Sequence, residues 1–363
     1  MRTYKRTWAG LGALTLAAGV IVAPGAALAQ SPSAAAGGDG ITVGVSWNNF
    51  NEERWPKFDK PAIVAAVEAA GGSYIETDAA SSAEQQLADV ENLISQGADA
   101  LIILAQDGTA ILPAVQSALD QGIPVVAYDR LIENPGALYL SFDNVGVGRI
   151  MAETIFPLVP KGNYAIIKGN QADANADFLR AGMEEVIGDA VAAGDIVIPA
   201  GCEQYTDNWD PANAQTNMEN CLTATNNDIQ AVLSENDGMA GGVIAALEAQ
   251  GMAGTIPVSG QDGDQGALNR VALGTQTVSV WKDARELGKA AGEAAVALAQ
   301  NPDLAALAGT APFEREGKDT LTSIILAPTP ITQENLQVVV DAGVIDQATL
   351  CQGVTAGSVA ACP

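Results

Sequence analysis

The amino-acid sequence predicts an α/β protein of two lobes, each a parallel β-sheet flanked by helices, joined by a multi-strand hinge. Two observations carry this. Short β-branched runs alternate with amphipathic helical stretches from Ile41 onward, the pattern that parallel sheets with right-handed crossovers require. The runs are apolar on both faces, as strands covered by helices on both sides must be. A third observation divides the molecule: around Tyr139–Asn144 (YLSFDN) the rhythm breaks and a new series of units begins.

In chain order, Arg2, Lys5 and Arg6 precede an uncharged apolar stretch from Ala9 to Val22, and Ala27-Leu28-Ala29 supplies a small-x-small cleavage pattern. Residues 1–29 therefore read as a cleaved signal peptide, the apolar run being short of the ~20 residues a membrane span needs. No cysteine stands beside this site to take a lipid, so the expected product is periplasmic or extracellular and not lipid-anchored there. A small-residue linker follows over 30–40. The runs Ile41–Val45, Ala100–Leu104 and Ile123–Tyr128 predict strands; Lys57–Ala70, Ala83–Gln96 and Ala110–Gln121 predict the helices around them. Leu87, Val90 and Ile94 recur at helical spacing, with Ser82 placed to cap. Gly97 and Gly122 stand where a left-handed residue ends a helix. Tyr164–Lys168, Ile196–Ile198, Gln230–Ser234 and Ile256–Ser259 resume the strands. Glycines in Gly260–Asp264 (GQDGD) suggest a second crossing between lobes, and the Pro-rich Leu326–Pro330 a third. The expected division is 41–143 with 264–305 in the first lobe, 144–263 with 306–340 in the second, and a tail over 341–363.

Composition excludes several functions. Of 363 residues 48% are hydrophobic, and 17 Lys+Arg face 43 Asp+Glu for a net charge of −26, which signal cleavage would take to −29. Such a surface repels nucleic acid and anionic membranes. The absence of histidine removes Ser-His-Asp and Cys-His catalysis and HExxH zinc sites. Cys202, Cys221, Cys351 and Cys362 read as disulfides in an exported chain, with the short-loop pairing Cys202–Cys221 and Cys351–Cys362 preferred over two alternatives. They lack CxxC spacing, so no metal site is expected. Asp173-x-Asn175-x-Asp177 with Glu184 has calcium-loop spacing, but Phe178 stands where the tight-turn glycine belongs. There is no P-loop, and no cofactor is expected.

Ligands of open α/β sheets sit beyond the carboxyl ends of the strands. Those ends carry Arg54-Trp55, Asp129-Arg130, Asn170, Asn236-Asp237, Asp262 and Lys282, with Arg180 early in a following helix. Carboxylates accept hydroxyl hydrogen bonds while Arg, Lys and Asn donate to the remaining oxygens, and Trp55 and Trp209 offer flat faces to sugar C–H groups. The shared chemistry is recognition of a neutral polyol.

The segments Glu53-Arg54-Trp55, Ala127-Tyr128-Asp129-Arg130, Ser141-Phe142-Asp143-Asn144, Arg180-Ala181-Gly182, Asn236-Asp237, Gly260-Gln261-Asp262 and Gly274-Thr275-Gln276-Thr277 occur in order. Together they resemble the D-xylose-binding members of the ribose/galactose-type solute-binding proteins of ABC sugar importers, a type I periplasmic-binding fold. The resemblance implies two Rossmann-like lobes closing on one monosaccharide, D-xylose first, with no turnover and delivery to a permease and its ATPase. A chemoreceptor is a further implied partner, and a monomer the expected state. The implied sugar contacts are Arg54, Asp129, Arg130, Asn175, Arg180, Asn236, Asp262 and Lys282, with Trp55 and Trp209 against the ring and Asp237 a lesser candidate. Leu179 stands where the family typically has Phe, with Phe178 one place earlier, and Trp281 where it often has Tyr. Binding of glucose, galactose, arabinose or ribose, or a secreted glycosidase, are the alternatives. A sugar-responsive repressor with the same core would need a basic helix-turn-helix where the signal sequence stands.

Overall fold

A computed structural model describes residues 40–363, so the signal peptide and all but the last residue of the linker lie outside the described residues. The alternating runs fold as β1 (Thr42–Trp47), α1 (Lys60–Ala69), β2 (Ser73–Asp78), α2 (Ala83–Ser95), β3 (Ala100–Ile103), α3 (Leu112–Asp120), β4 (Val125–Tyr128) and β5 (Leu138–Phe142). β1 pairs in parallel with β2 on one side and β3 on the other, and β4 and β5 continue the sheet. Successive strand residues enter opposite cores, which is why the runs carry no polar face. Val45, Ile102, Val126 and Leu140 pack into one core, and Leu101, Ile103, Val125 and Tyr139 into the other. Ser82 caps α2 by accepting from Gln85 N at 3.1 Å. Gly97 and Gly122 end their helices at φ 87° and 79°. β2, unread in the sequence, is the half-exposed edge strand SYIETD, whose polar alternation hides it.

After β5 the chain enters the second lobe: α4 (Asn144–Ile155), β6 (Gly162–Lys168), α5 (Ala174–Ala192), β7 (Ile196–Val197), β8 (Glu203–Tyr205), α6 (Pro211–Thr225), β9 (Ala231–Ser234), α7 (Asp237–Glu248), β10 (Ser259–Asp262), α8 (Gln265–Leu273) and β11 (Val278–Trp281). β6 pairs in parallel with β7, β8 and β9. A bridge from Val232 to Val258 links these strands to β10 and β11. The chain then returns: α9 (Ala284–Gln300) lies on α1 so closely that a Cβ at Gly288 would stand 2.6 Å from the Asp59 carbonyl oxygen. β12 (Ala311–Phe313) and β13 (Leu321–Leu326) extend the first sheet, β13 in parallel beside β5. β14 (Thr329–Ile331) crosses again to pair antiparallel with β11.

The lobes are therefore joined by three passages, at 142–144, 281–284 and 326–329, and the expected division is corrected in two places. Residues 264–281 belong to the second lobe, because GQDGD is not a crossing: Asp262 and Gly263, at φ 104° and 83°, turn β10 into α8 within one lobe. Residues 306–326 belong to the first, because the apolar run LTSIIL completes its sheet. Just before and within the tail, α10 (Gln337–Asp341) and α11 (Gln347–Leu350) form, and Val339, Ile345 and Leu350 are buried against Leu268 and Val271 of α8. Cys202–Cys221 and Cys351–Cys362 form disulfides.

Candidate functional site

Between the lobes, beside the passages, lies a narrow polar cavity. From the first lobe Glu52, Arg54, Trp55, Asp129 and Arg130 line it, and from the second Asp173, Asn175, Trp209, Asn236, Gln261 and Asp262, with Lys282 at a passage. Nine residues singled out in the sequence are thus brought together: Arg54, Trp55, Asp129, Arg130, Asn175, Trp209, Asn236, Asp262 and Lys282.

Local structure explains how. The loop after β1 enters α1 through a π-helical turn over Trp55–Asp59, in which Lys60 N donates to Trp55 O five residues back. That wider turn stacks residues five apart, so Arg54 meets Asp59 with two bonds, Nε to Oδ2 at 3.1 Å and Nη2 to Oδ1 at 2.8 Å. Tyr128 also donates to Asp59 Oδ1. Held from behind, the guanidinium turns Nη1 to Asp129 Oδ2 at 3.1 Å and, across the cleft, to Asp262 Oδ1 at 3.3 Å. Lys282 Nζ reaches the same Asp262 oxygen at 3.2 Å. Asp129 and Asp262 end β4 and β10 at φ 60° and 104°.

Arg130 organises the aromatic walls. Its Nη2 donates to Glu52 Oε1 at 2.9 Å, and Glu52 Oε2 accepts from Trp55 Nε1 at 2.7 Å. Its Nε lies 3.0 Å from Asp173 Oδ2, which also accepts from Trp209 Nε1 at 3.2 Å. One guanidinium and two carboxylates therefore set both indoles, one from each lobe. The Trp209 ring lies on Gly169, where a Cβ would stand 2.1 Å from the indole. Asn236 caps α7, its Oδ1 accepting from Met239 N at 2.8 Å.

The charges are uneven in setting. Burial alone would raise Asp129, but Lys282, Arg54 and Arg130 outweigh it and hold the carboxyl below its usual range. For Glu52 and Asp173 burial prevails over Arg130 and both are raised. Gln261 Oε1 is buried without a hydrogen-bond donor among the described residues, and Asp129 Oδ2 has only the poorly aligned Arg54 beside it.

Two expected site residues stand elsewhere. Arg180 follows Asn175 by five residues, about 140° around α5, and pairs on the surface with Glu184 and Glu203 at 2.7 and 2.9 Å. Asp237 lies behind the cavity, accepting from Gly263 N, Asp264 N, Ser279 Oγ and Gln276 Nε2, and so braces the turn that carries Asp262. Phe178 packs on Phe313 of the first lobe, ring centroids 6.0 Å apart. Glu52, Asp173 and Gln261 were missed. Glu52 and Gln261 adjoin chosen segments without distinguishing chemistry; Asp173 and Asn175 do not form the calcium loop but cap and open α5, the Asp173 side chain accepting from Asn175 N. Among the described residues no three acidic or cysteine side chains gather to hold a metal.

A two-lobed α/β protein with a polar, indole-walled cavity closed at its hinge is by class a solute receptor. The chain belongs to the periplasmic binding protein family, whose domain model matches residues 43–303. It is 36% identical over 298 residues to the D-xylose-binding periplasmic protein of Escherichia coli K12, covering 82% of this chain and 88% of that one. The Haemophilus influenzae protein of the same description is 35% identical, with coverage of 82% and 87%. Among solved structures, an ABC transporter solute-binding protein from Clostridium phytofermentans with bound β-D-glucose superposes with a TM-score of 0.76 at 27% identity, covering 85% of this chain and 99% of that one.

Proposed function

We propose that this chain captures one neutral aldopyranose, D-xylose before others, outside the cytoplasm and presents it in closed form to the permease of an ABC importer. The observation that carries the reading is the pair of buried acceptors, Asp129 Oδ2 and Gln261 Oε1, short of donors between two indoles. Sugar hydroxyls donate to such atoms, while Arg54, Lys282 and Asn236 donate to the remaining oxygens. The indoles cover C–H faces. Similarity to two D-xylose-binding proteins supports the choice of sugar. The basic, apolar and small-residue sequence of the N-terminus supports export.

Hydrolysis is disfavoured by the acids themselves. Both oxygens of Glu52 accept from Arg130 and Trp55, and both oxygens of Asp173 from Asn175 and Trp209, so neither carboxyl is free to deliver a proton. Release of sugar from xylosides would revive that reading.

A thermal-shift and calorimetric series over D-xylose, D-glucose, D-galactose, L-arabinose and D-ribose tests the proposal, since a tight ligand raises the melting temperature by mass action. D-xylose is expected to bind tightest. Asp262→Ala is expected to weaken it by at least about a hundredfold, the scale of removing one partner of a buried charged pair, with the circular dichroism spectrum unchanged. No shift with any sugar would overturn the proposal.

A further inference from the structure

Next to the sugar cavity stands a second one, of about 200 Å³. Glu52, Trp209 and Asn236 line both, so the two spaces adjoin. Asn236 is 4% exposed. Its Oδ1 is taken by Met239 N, while its Nδ2 has no acceptor among the described residues. An amide donor without an acceptor is available to a ligand oxygen.

The second space has the chemistry of a sugar subsite. Trp209 and Pro211 supply apolar surface. Asn51, Glu53 and Asp264 supply polar groups, and the Asp264 carboxylate has no hydrogen-bond donor among the described residues. Arg270 is the one cation lining it, and its guanidinium is engaged by Asp237 O at 2.6 Å and Gln276 Oε1 at 3.1 Å. Glu52, Glu53, Asp237 and Asp264 outnumber Arg270 in the lining, so hydroxyls find acceptors there while a phosphate or uronate is disfavoured.

We infer that the receptor accepts not only a monosaccharide but a neutral disaccharide, its second ring occupying the chamber beyond Trp209 and Asn236. The inference rests on the sugar reading above and extends its ligand class.

The test is calorimetry of the full chain with D-xylose and with xylobiose, its 1,4-linked disaccharide, on wild type and on Gly238→Leu. Gly238 lines only the second chamber, and a Cβ there would meet its nearest neighbour, Pro211 Cγ, at an ordinary 3.5 Å. Leucine also suits a helix better than glycine. Gly266→Leu, whose Cβ has only Arg270 Nη1 nearby at 3.5 Å, serves as the second variant. Wild type is expected to bind xylobiose within about tenfold of D-xylose. Each variant is expected to keep D-xylose affinity and lose at least about tenfold for xylobiose, or 1.4 kcal/mol. Xylose binding without xylobiose binding would overturn the inference and leave the sugar reading intact. So would xylobiose binding indifferent to both variants. Binding of neither sugar would remove the sugar reading, and this inference with it.

Discussion

Trp209 stands at φ 55°, Asp129 at 60° and Asp262 at 104°, a backbone region that costs a non-glycine residue about 1–3 kcal/mol. All three line the cavity, where side chains must point inward from a strand end or a tight turn. Glu235 is a second residue-scale tension. It is fully buried, its Oε2 accepts from Gly169 N at 2.7 Å, and its Oε1 has no donor among the described residues. Burial pushes its carboxyl well above the usual range, against smaller lowering effects of the Gly169 N–H and Lys168, while Asp177 and Asp173 add to the rise. A folded pKa above the unfolded one, near ~4.3, gives stability that is full below the unfolded value and lost as pH rises through the folded value. Glu235→Gln keeps the shape without the charge. In urea unfolding it is expected to match wild type at pH 4 and to exceed it at pH 8, by roughly 1–3 kcal/mol. An equal difference at both pH values would show that Glu235 does not retain its proton on folding.

At the scale of elements, neighbouring helices of each lobe meet backbone to backbone through glycines. α4 and α5 interlock at Gly148 and Gly182, where an added Cβ would stand 1.9 Å from Leu179 O and from Val145 O respectively. Carbonyl oxygens cannot move aside as a flexible side chain can, so the helices must part. Gly182→Ala is expected to cost about 1–3 kcal/mol, the usual range for overpacking, read as a lower urea midpoint at unchanged slope. Because α5 carries Asn175 and is capped by Asp173, weaker sugar binding should accompany the loss. An unchanged midpoint would mean that the two helices separate freely.

Over the whole molecule, closure is held by polar contacts between the lobes as well as by Phe178 on Phe313. Arg130 to Asp173 at 3.0 Å, Arg54 to Asp262 at 3.3 Å and Gln106 Nε2 to Asn208 Oδ1 at 2.8 Å cross the cleft. Away from the cavity, Gln265 N donates to Glu53 Oε1 at 3.2 Å. Only Arg130 also ties both indoles, so it couples the ring-covering walls to the approach of the lobes. Water exclusion then strengthens the charged bonds around a bound sugar. Small-angle scattering of wild type should show the radius of gyration fall on adding D-xylose. Arg130→Gln should bind at least about tenfold more weakly and stay expanded at sugar concentrations that close wild type. Full compaction of the variant at those concentrations would dissociate Arg130 from closure.

The alternation of strands and helices, the cap at Ser82, the glycine helix ends and the short-loop cysteine pairs were legible because each is written in neighbouring residues. Placing Arg54, Asp129, Asp262 and Lys282 at one site was legible too, since strand ends of parallel sheets converge. Lobe membership of 264–281 and 306–326 was not, because it depends on which distant strand offers an open edge: LTSIIL reads alike beside β5 or β11. The roles of Arg180 and Asp173 were inverted for a similar reason, as rotation around α5 becomes visible only when that helix has docked. The sequence by itself determined the α/β class, the chemistry of the pocket and most of its residues, all set by periodicity and residue type. Only the tertiary structure decided which carboxylates hold the indoles, which backbone positions carry strain and where Arg54 meets Asp262, because those contacts join segments as much as 208 residues apart.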